Sequence, residues 1–412
     1  MTRILFIGFP YSVHAARWVN QLADSGWDVH FFPSIRLTTD IDLHPLFRNL
    51  TVHDCAVRQS PRGRGVHLPG AVVWPFRAGE RYVRFAASRS RRVRFRSSSQ
   101  SSRAGRLARL IRRLEPDIVQ SLEIQHAGYL ASDAKSLLGE GFPTWIATNW
   151  GSDIYLFGQM DEHRARIQEV LAGCDYYSCE CHRDVDLAKQ LGLKGEVLPV
   201  LPNAGGFDLG NARAHRQTGP PSSRRLVLVK GYQHWAGRAL VALRAVALCA
   251  DLLGPYRVAV FSASADVEIA AKLVSSKTGV PIDLIPLCSH DEMLRQYGKA
   301  RVYMGLSISD AISTSFLEAI LMGAFPIQSC TACADEWIED GKTGLIVPPE
   351  DPEPIAAALR RALTDDALVD SAAAANEKTA AERMDETAIK PQVIAMYERI
   401  VAQGIPPRKG KA

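Results

Sequence analysis

The stretch from Ser307 to Ser329 most constrains what this chain can fold into. An apolar run, Val302 to Leu306, leads into a turn of small and polar residues; an apolar helix follows, Gly323 closes it, and Pro326 opens another strand-like run. Strand, loop, helix and strand in that order make one repeat of a parallel α/β sheet. The helix predicted here begins with Ser313, Thr314 and Ser315, whose small side chains leave the first-turn N–H groups open where the helix dipole is positive. Such an end takes an anion, and phosphate is the natural one. Asp310 precedes the helix and Glu318 follows about two turns later, so two carboxylates bracket that anion, one within reach of a sugar and the other of a ribose. An amphipathic helix with two incidental acids would give the same spacing.

The length of 412 residues allows two or three domains, and 47% hydrophobic content is ample for packed cores. No apolar run approaches the roughly 18 residues of a membrane span, and only the short Ile4–Phe9 stretch follows Arg3, so neither a span nor a signal peptide is expected. The expected location is cytoplasmic. Eight cysteines without a regular framework fit reduced thiols there. A net charge of +5 is small for this length, and its distribution carries more information than its sum.

Along the chain, Arg3–Gly8 reads as a buried parallel strand, Ala15–Ser25 as a helix ended by Gly26, and Asp28–Pro33 as the next strand. The turn Gly8 to His14 lacks the Gly-x-Gly-x-x-Gly spacing, which speaks against a dinucleotide cofactor at this position. Between Arg77 and Arg113 lie thirteen arginines opposed by Glu80 alone, with Tyr82, Phe85 and Phe95 among them and Ser97–Ser102 as a loop. This basic insertion fits an anionic membrane surface, a solvated helix face or, with least support, nucleic acid; no nucleic-acid module accompanies it.

Alternation then resumes with Asp117–Ser121 as strand, a helix near Gly128–Leu138 and Thr144–Asn149 as strand. The loop Asn149-Trp-Gly-Ser-Asp153 follows at a strand's carboxyl end, where parallel sheets bind ligands. His126 occupies the loop after the preceding strand. Cys174, Cys179, Cys181 and His182 lack zinc-site spacing, and Cys179 and Cys181 are expected to share one strand face as core packing. Cys330 and Cys333 have no second pair, and Asp184 and Asp186 open an amphipathic helix to Leu191. No metal site is expected.

Residues 205–223, rich in Gly, Pro, Asn and Ser, read as a linker, after which a second α/β series begins at Leu226–Lys230. Its elements are a helix at Gly237–Ala250, a strand at Arg257–Phe261, a helix at Ala265–Thr278, a strand at Ile282–Pro286, a helix at Asp291–Tyr297 and then the central repeat. Helices at Asp351–Leu363 and Pro391–Val401 follow, the latter opened by its proline. Residues 406–411 read as a basic tail.

The acid, seven residues, acid spacing of Asp310 and Glu318, followed by Ala319 and Gly323-Ala-Phe-Pro326, resembles the motif of the retaining glycosyltransferase family 4 of GT-B fold. The usual form has Glu in the first place, one residue fewer before the proline, and a His where Trp150 stands. The resemblance implies an α/β protein of two Rossmann-like domains facing a deep interdomain cleft. Residues 1–204 would be the acceptor side, with the basic insertion near 77–113, and residues 224–385 the nucleotide-sugar donor domain. Residues 386–412 would be a final helix packing back on the first domain, with the basic tail. It further implies that Lys230, Arg238 and the Ser313, Thr314 and Ser315 amides hold a donor diphosphate, that Glu318 takes the ribose and Asp310 the sugar, and that His14 and Asp153 serve the acceptor side. The donor would be a UDP-sugar or GDP-sugar, with no other cofactor, and the acceptor a glycan or lipid-linked molecule of cell-surface polysaccharide assembly at the inner face of the membrane. Nucleotide-sugar epimerases of this architecture and a non-catalytic nucleotide-sugar-binding scaffold are the alternatives.

Overall fold

The structure, a computed structural model, describes residues 1–35, 43–54, 57–58, 63–69, 72–73 and 99–403. Residues 77–98 of the basic insertion and the tail at 406–411 lie outside them. The chain divides into two compact units: Met1–Glu180 with Asp184–Gly205 and the residues from Lys390 onward, and Cys181–Arg183 with Gly206–Ile389.

In the first unit, β1 (Arg3–Gly8), β2 (Asp28–Pro33), β3 (Leu50–Val52), β5 (Val66–His67), β7 (Ile118–Leu122), β8 (Thr144–Thr148), β9 (Tyr176–Ser178) and β10 (Glu196–Val197) form one parallel sheet, while β4 (Val57–Arg58) and β6 (Val72–Val73) pair apart from it. The order is β10-β9-β8-β7-β1-β2-β3-β5, so the winding reverses between β1 and β7. Ile4, Leu5, Phe6 and Ile7 are all fully buried, as both faces of a parallel sheet are covered. The short strands β3, β5, β9 and β10 span too few residues for a period to show in sequence.

The first helix runs Val13–Val19 and tightens into a 3-10 turn at Asn20–Leu22. It starts earlier than Ala15 because Ser12 is available as a cap, its Oγ accepting from the Ala15 N–H at 3.2 Å. Helix Ser99–Leu114 begins inside the serine run read as a loop, burying Ala104, Leu107, Ala108 and Ile111. Cys179 and Cys181 lie past the end of β9, not along it. Cys179 joins the first unit's core, whereas Cys181 packs with Ala311 and Cys333 of the second.

In the second unit, β11 (Leu226–Lys230), β12 (Arg257–Phe261), β13 (Ile282–Ile285), β14 (Ala300–Gly305), β15 (Phe325–Ser329) and β16 (Leu345–Val347) form a second parallel sheet, ordered β13-β12-β11-β14-β15-β16. Here the reversal falls between β11 and β14. The stretch read as a linker belongs to this unit from Gly206 and carries a helix, Leu209–Ala214. Buried Arg224 follows it and donates to the carbonyls of Ala300 and Met322, both at 3.1 Å, which satisfies the end of the helix before Gly323. Helix Asp366–Arg383 was not evident in the sequence.

The final helix spans Glu386–Ala402 with Pro391 inside it, not at its start. Asp385 accepts from the Thr387 N–H at 2.8 Å and so begins the helix a turn early. From Lys390 the helix belongs to the first unit, where Tyr397 is buried, its hydroxyl accepting from Trp18 Nε1 at 2.9 Å and donating to Gln120. No helix among the described residues is long and apolar enough to cross a membrane.

His30 on β2 and His53 after β3 stack, with His30 Nδ1 2.9 Å from His53 Nε2, and Asp28 lies 2.9 Å from His30 Nε2. Burial, then the neighbouring His30 and Arg113 charges, push His53 down from 6.5 to about 4. Above pH 6.5 neither folded nor unfolded chain protonates this ring. Below it the unfolded chain takes up a proton that the folded chain refuses until about pH 4, so stability falls by roughly 3 kcal/mol across that window. His53→Gln should lose less melting temperature than the wild type between pH 7 and pH 4.5; parallel losses would show that His53 does not resist the proton.

Candidate functional site

Each sheet places its ligand-competent loops at the carboxyl end of the strands where the winding reverses, because there two neighbouring loops diverge and leave a crevice. In the second unit that point lies between the loops after β11 and β14, and Lys230 ends β11. Its ammonium donates to Ser313 Oγ at 3.0 Å and sits 4.7 Å from the ring centre of Tyr232. Burial lowers the Lys230 pKa, while the charges of Asp310 and Glu318 oppose the shift. The Ser313 hydroxyl and the charges of Asp310 and Glu318, all singled out from sequence, thus act on one half-buried cation.

Ser313 is the cap of helix Thr314–Leu321, in extended backbone, and its side chain accepts no hydrogen bond from the helix's own N–H groups. Its hydroxyl is committed to Lys230 instead. The Thr314 and Ser315 amides therefore lead the helix with no intrahelical acceptor, an anion-competent end with a lysine beside it. Glu318, buried to 7% exposure, meets His290 Nε2 at 2.7 Å. His290 opens helix His290–Lys299 and was not foreseen, although its place just after the Ser289 cap marks it as fixed. Asp310 is partly exposed, and its backbone is held on both sides. Its N–H donates to the Thr331 carbonyl at 3.3 Å, and its own carbonyl accepts from Arg183 Nη2 at 2.8 Å.

The loop from Gly231 to Arg238 folds tightly. The Ile308 N–H donates to the Ala236 carbonyl at 2.9 Å and the Arg238 N–H to the Leu306 carbonyl at 3.0 Å, pinning this loop to the one after β14. A Cβ on Gly237 would lie 2.3 Å from the Tyr232 carbonyl oxygen, so no larger residue fits that turn. Arg238 turns its Nε to Glu350 at 3.0 Å and its Nη1 to the Gly237 carbonyl at 3.0 Å, and its charge, like that of Lys230, acts on His234. Tyr232 and Trp235 are exposed on the loop.

In the first unit the reversal lies between β1 and β7. Glu123, just past β7, adopts φ 87°, ψ 159°, a conformation costly for any residue but glycine. Its carboxylate caps the π-helical turn Ile124–Gly128, accepting from the His126 N–H at 2.9 Å, and it lies 3.4 Å from His126 Nδ1. The Glu123 hydrogen bond raises the His126 pKa against the effect of burial. His126 remains 53% exposed and packs on Phe9, ring centres 4.9 Å apart, so it is a rigidly held, accessible imidazole. Glu123 escaped the sequence reading. An acid directly after an apolar parallel strand was its only signal.

Asp153 is buried, and its Oδ2 accepts from the N–H groups of Trp150 at 2.9 Å and Ile124 at 3.2 Å. Burial, then the Glu123 charge, pushes its carboxyl up. The carboxylate fastens the loop at Trp150 to the turn at Ile124. His14 stands edge-on to Trp150, ring centres 6.1 Å apart. His14, Trp150 and Asp153 are therefore brought together, with Asp153 beneath the loop.

Residues 235–365 match the family described as Glycosyl transferases group 1, and residues 76–176 match Glycosyl transferase 4-like. The chain belongs to these family-4-type glycosyltransferases and has their GT-B fold of two Rossmann-like domains. Sucrose-phosphate synthase from Thermosynechococcus elongatus is similar in structure, with a TM-score of 0.69 at 15% identity over 98% of this chain and 100% of that one. The trehalose 6-phosphate synthase of Burkholderia multivorans gives 0.67 at 13% over the whole of both chains. HepE of Anabaena, solved in complex with UDP-glucose, gives 0.64 at 10% over 97% of this chain and 100% of that one. No curated protein matches in sequence.

Replacing Asp153 by Ala leaves two buried N–H groups without an acceptor and should destabilise the protein by about 2–4 kcal/mol. Asp153→Asn, which keeps an acceptor oxygen, should lose less than half of that in denaturant titrations. Equal stability of Asp153→Ala and wild type would mean that the loop does not depend on this carboxylate.

Proposed function

We propose that this glycosyltransferase moves a sugar from a nucleotide diphosphate sugar to a glycan or lipid-linked acceptor, with retention at the anomeric carbon and without a metal ion. The observation that carries the reading is the convergence of Lys230 and Ser313 at the start of helix Thr314–Leu321, with Asp310 and Glu318 to either side. As the glycosidic bond breaks, negative charge grows on the leaving diphosphate. A fixed ammonium and oriented amides stabilise that charge without having to reorganise.

In this reading Lys230 and the Ser313, Thr314 and Ser315 amides hold the diphosphate, and Glu318, oriented by His290, takes the ribose. Asp310 takes the sugar. Arg238 would join the diphosphate by exchanging Glu350 for a phosphate oxygen. On the acceptor side His14 and His126 offer imidazoles to a hydroxyl, and Asp153 acts through the Trp150 loop that it fastens. Retention needs no carboxylate nucleophile here: the leaving phosphate receives the acceptor proton on the face it departs from, and the protein supplies position and electrostatics.

HepE, of the same fold, was solved with UDP and with UDP-glucose, which favours a UDP-sugar as the donor. A role in cell-surface polysaccharide assembly, in the cytoplasm at the inner face of the membrane, suits the basic run that ends at Arg113.

Calorimetric titration with UDP, GDP and ADP should find one diphosphate preferred. Glu318→Ala should weaken it by about 10- to 100-fold, the worth of a hydrogen bond to a charged group. Unchanged affinity in the variant would remove Glu318 from the nucleotide site. Activity that a chelator abolishes and manganese restores would count against the metal-free mechanism.

A further inference from the structure

A second charged site lies in the first unit, away from the β1–β7 reversal. A cavity of about 850 Å³ opens between helix Ser99–Leu114 and the carboxyl ends of β2 and β3, and Arg106, Arg109, Arg112, Arg113, His53 and Asp54 line it together with apolar residues. The four guanidinium groups recur at helical spacing along one side of a helix whose other side is core. Among the described residues, Asp54 is the one carboxylate in the wall, and its charge is already matched. Arg103 Nη1 reaches it at 3.1 Å and Arg106 Nε at 2.8 Å.

Arg109 and Arg113, four residues apart, have no ion pair among the described residues, and Arg112 stands three residues from Arg109. Like charges at these spacings destabilise a helix. Arg112 and Arg113 gain something from the helix dipole at the last turn, but Arg109 does not. Among the described residues the cavity is therefore net positive, and Arg109 and Arg113 meet no carboxylate in it. A phosphate group supplies what is missing, because guanidinium forks match its oxygens in pairs and the volume is that of a ligand pocket.

We propose that this cavity is a binding site for a phosphate- or diphosphate-bearing ligand, held chiefly by Arg109 and Arg113 and separate from the site at Lys230. The ligand's source is either a lipid headgroup or a soluble phosphorylated molecule, and both present the same anion. The proposal does not depend on the nucleotide-sugar reading.

Inorganic pyrophosphate titrated calorimetrically into the full chain at low salt tests it. Arg109→Gln/Arg113→Gln should weaken binding at least tenfold, Lys230→Ala should leave this event in place, and added salt should weaken it in the wild type. Both arginines are exposed, so the double variant should fold; Arg109→Lys/Arg113→Lys, which keeps the charge, should recover part of the affinity. Equal binding by the wild type and the Gln double variant, or no pyrophosphate event beyond the one that Lys230→Ala removes, would overturn the proposal. Co-sedimentation with phosphatidylglycerol vesicles but not phosphatidylcholine vesicles, competed by pyrophosphate, identifies the lipid source. Pyrophosphate binding without co-sedimentation identifies the soluble one.

Discussion

A half-buried ammonium needs negative partners, and the Lys230 side chain, ending the strand at the winding reversal of the second sheet, imposes that need on its surroundings. Desolvation works against its charge, and the charges of Asp310 and Glu318 and the Ser313 hydroxyl offset part of that cost. The Ser313 hydroxyl is turned toward the lysine and away from its own helix, so the first amides of the helix keep no acceptor within it. One interaction thus links the strand order to the helix start.

The first unit uses the same end of its sheet differently. Here the charge at the winding reversal is acidic, and the backbone N–H groups of two loops converge on Glu123 and Asp153. Strain at Glu123 and the π-helical turn after it place His126 at the surface with a carboxylate behind it. Such local cost persists only where the surroundings enforce it, and here the capping bonds of Glu123 do so. One reversal thus presents a cation and the other an imidazole, that of His126, backed by the Glu123 carboxylate.

The arginines of Ser99–Leu114 show how one run of charge divides by position. Arg103 and Arg106 are consumed by Asp54 at the strand ends, and Arg109 and Arg113, one to two turns on, are not. The buried face of the helix, Leu107 and Ile111 among others, fixes which arginines can turn toward the sheet and which toward the cavity.

Much of this was legible in the residues. Near-continuous apolar runs of strand length alternating with amphipathic stretches dictated two parallel α/β series, since only strands covered on both faces can be apolar throughout. The spacing of Asp310, Ser313 and Glu318 was legible for the same local reason, a helix start between two strands. What depended on partners distant in sequence was not legible: the pairing of Glu318 with His290, the diversion of Arg238 to Glu350, the strain at Glu123, and the separation of Cys179 and Cys181 into different cores. Sequence spacing determines which side chains share a strand face or a helix turn. Which loop a side chain meets is decided only when the sheet order brings the carboxyl ends of non-consecutive strands together.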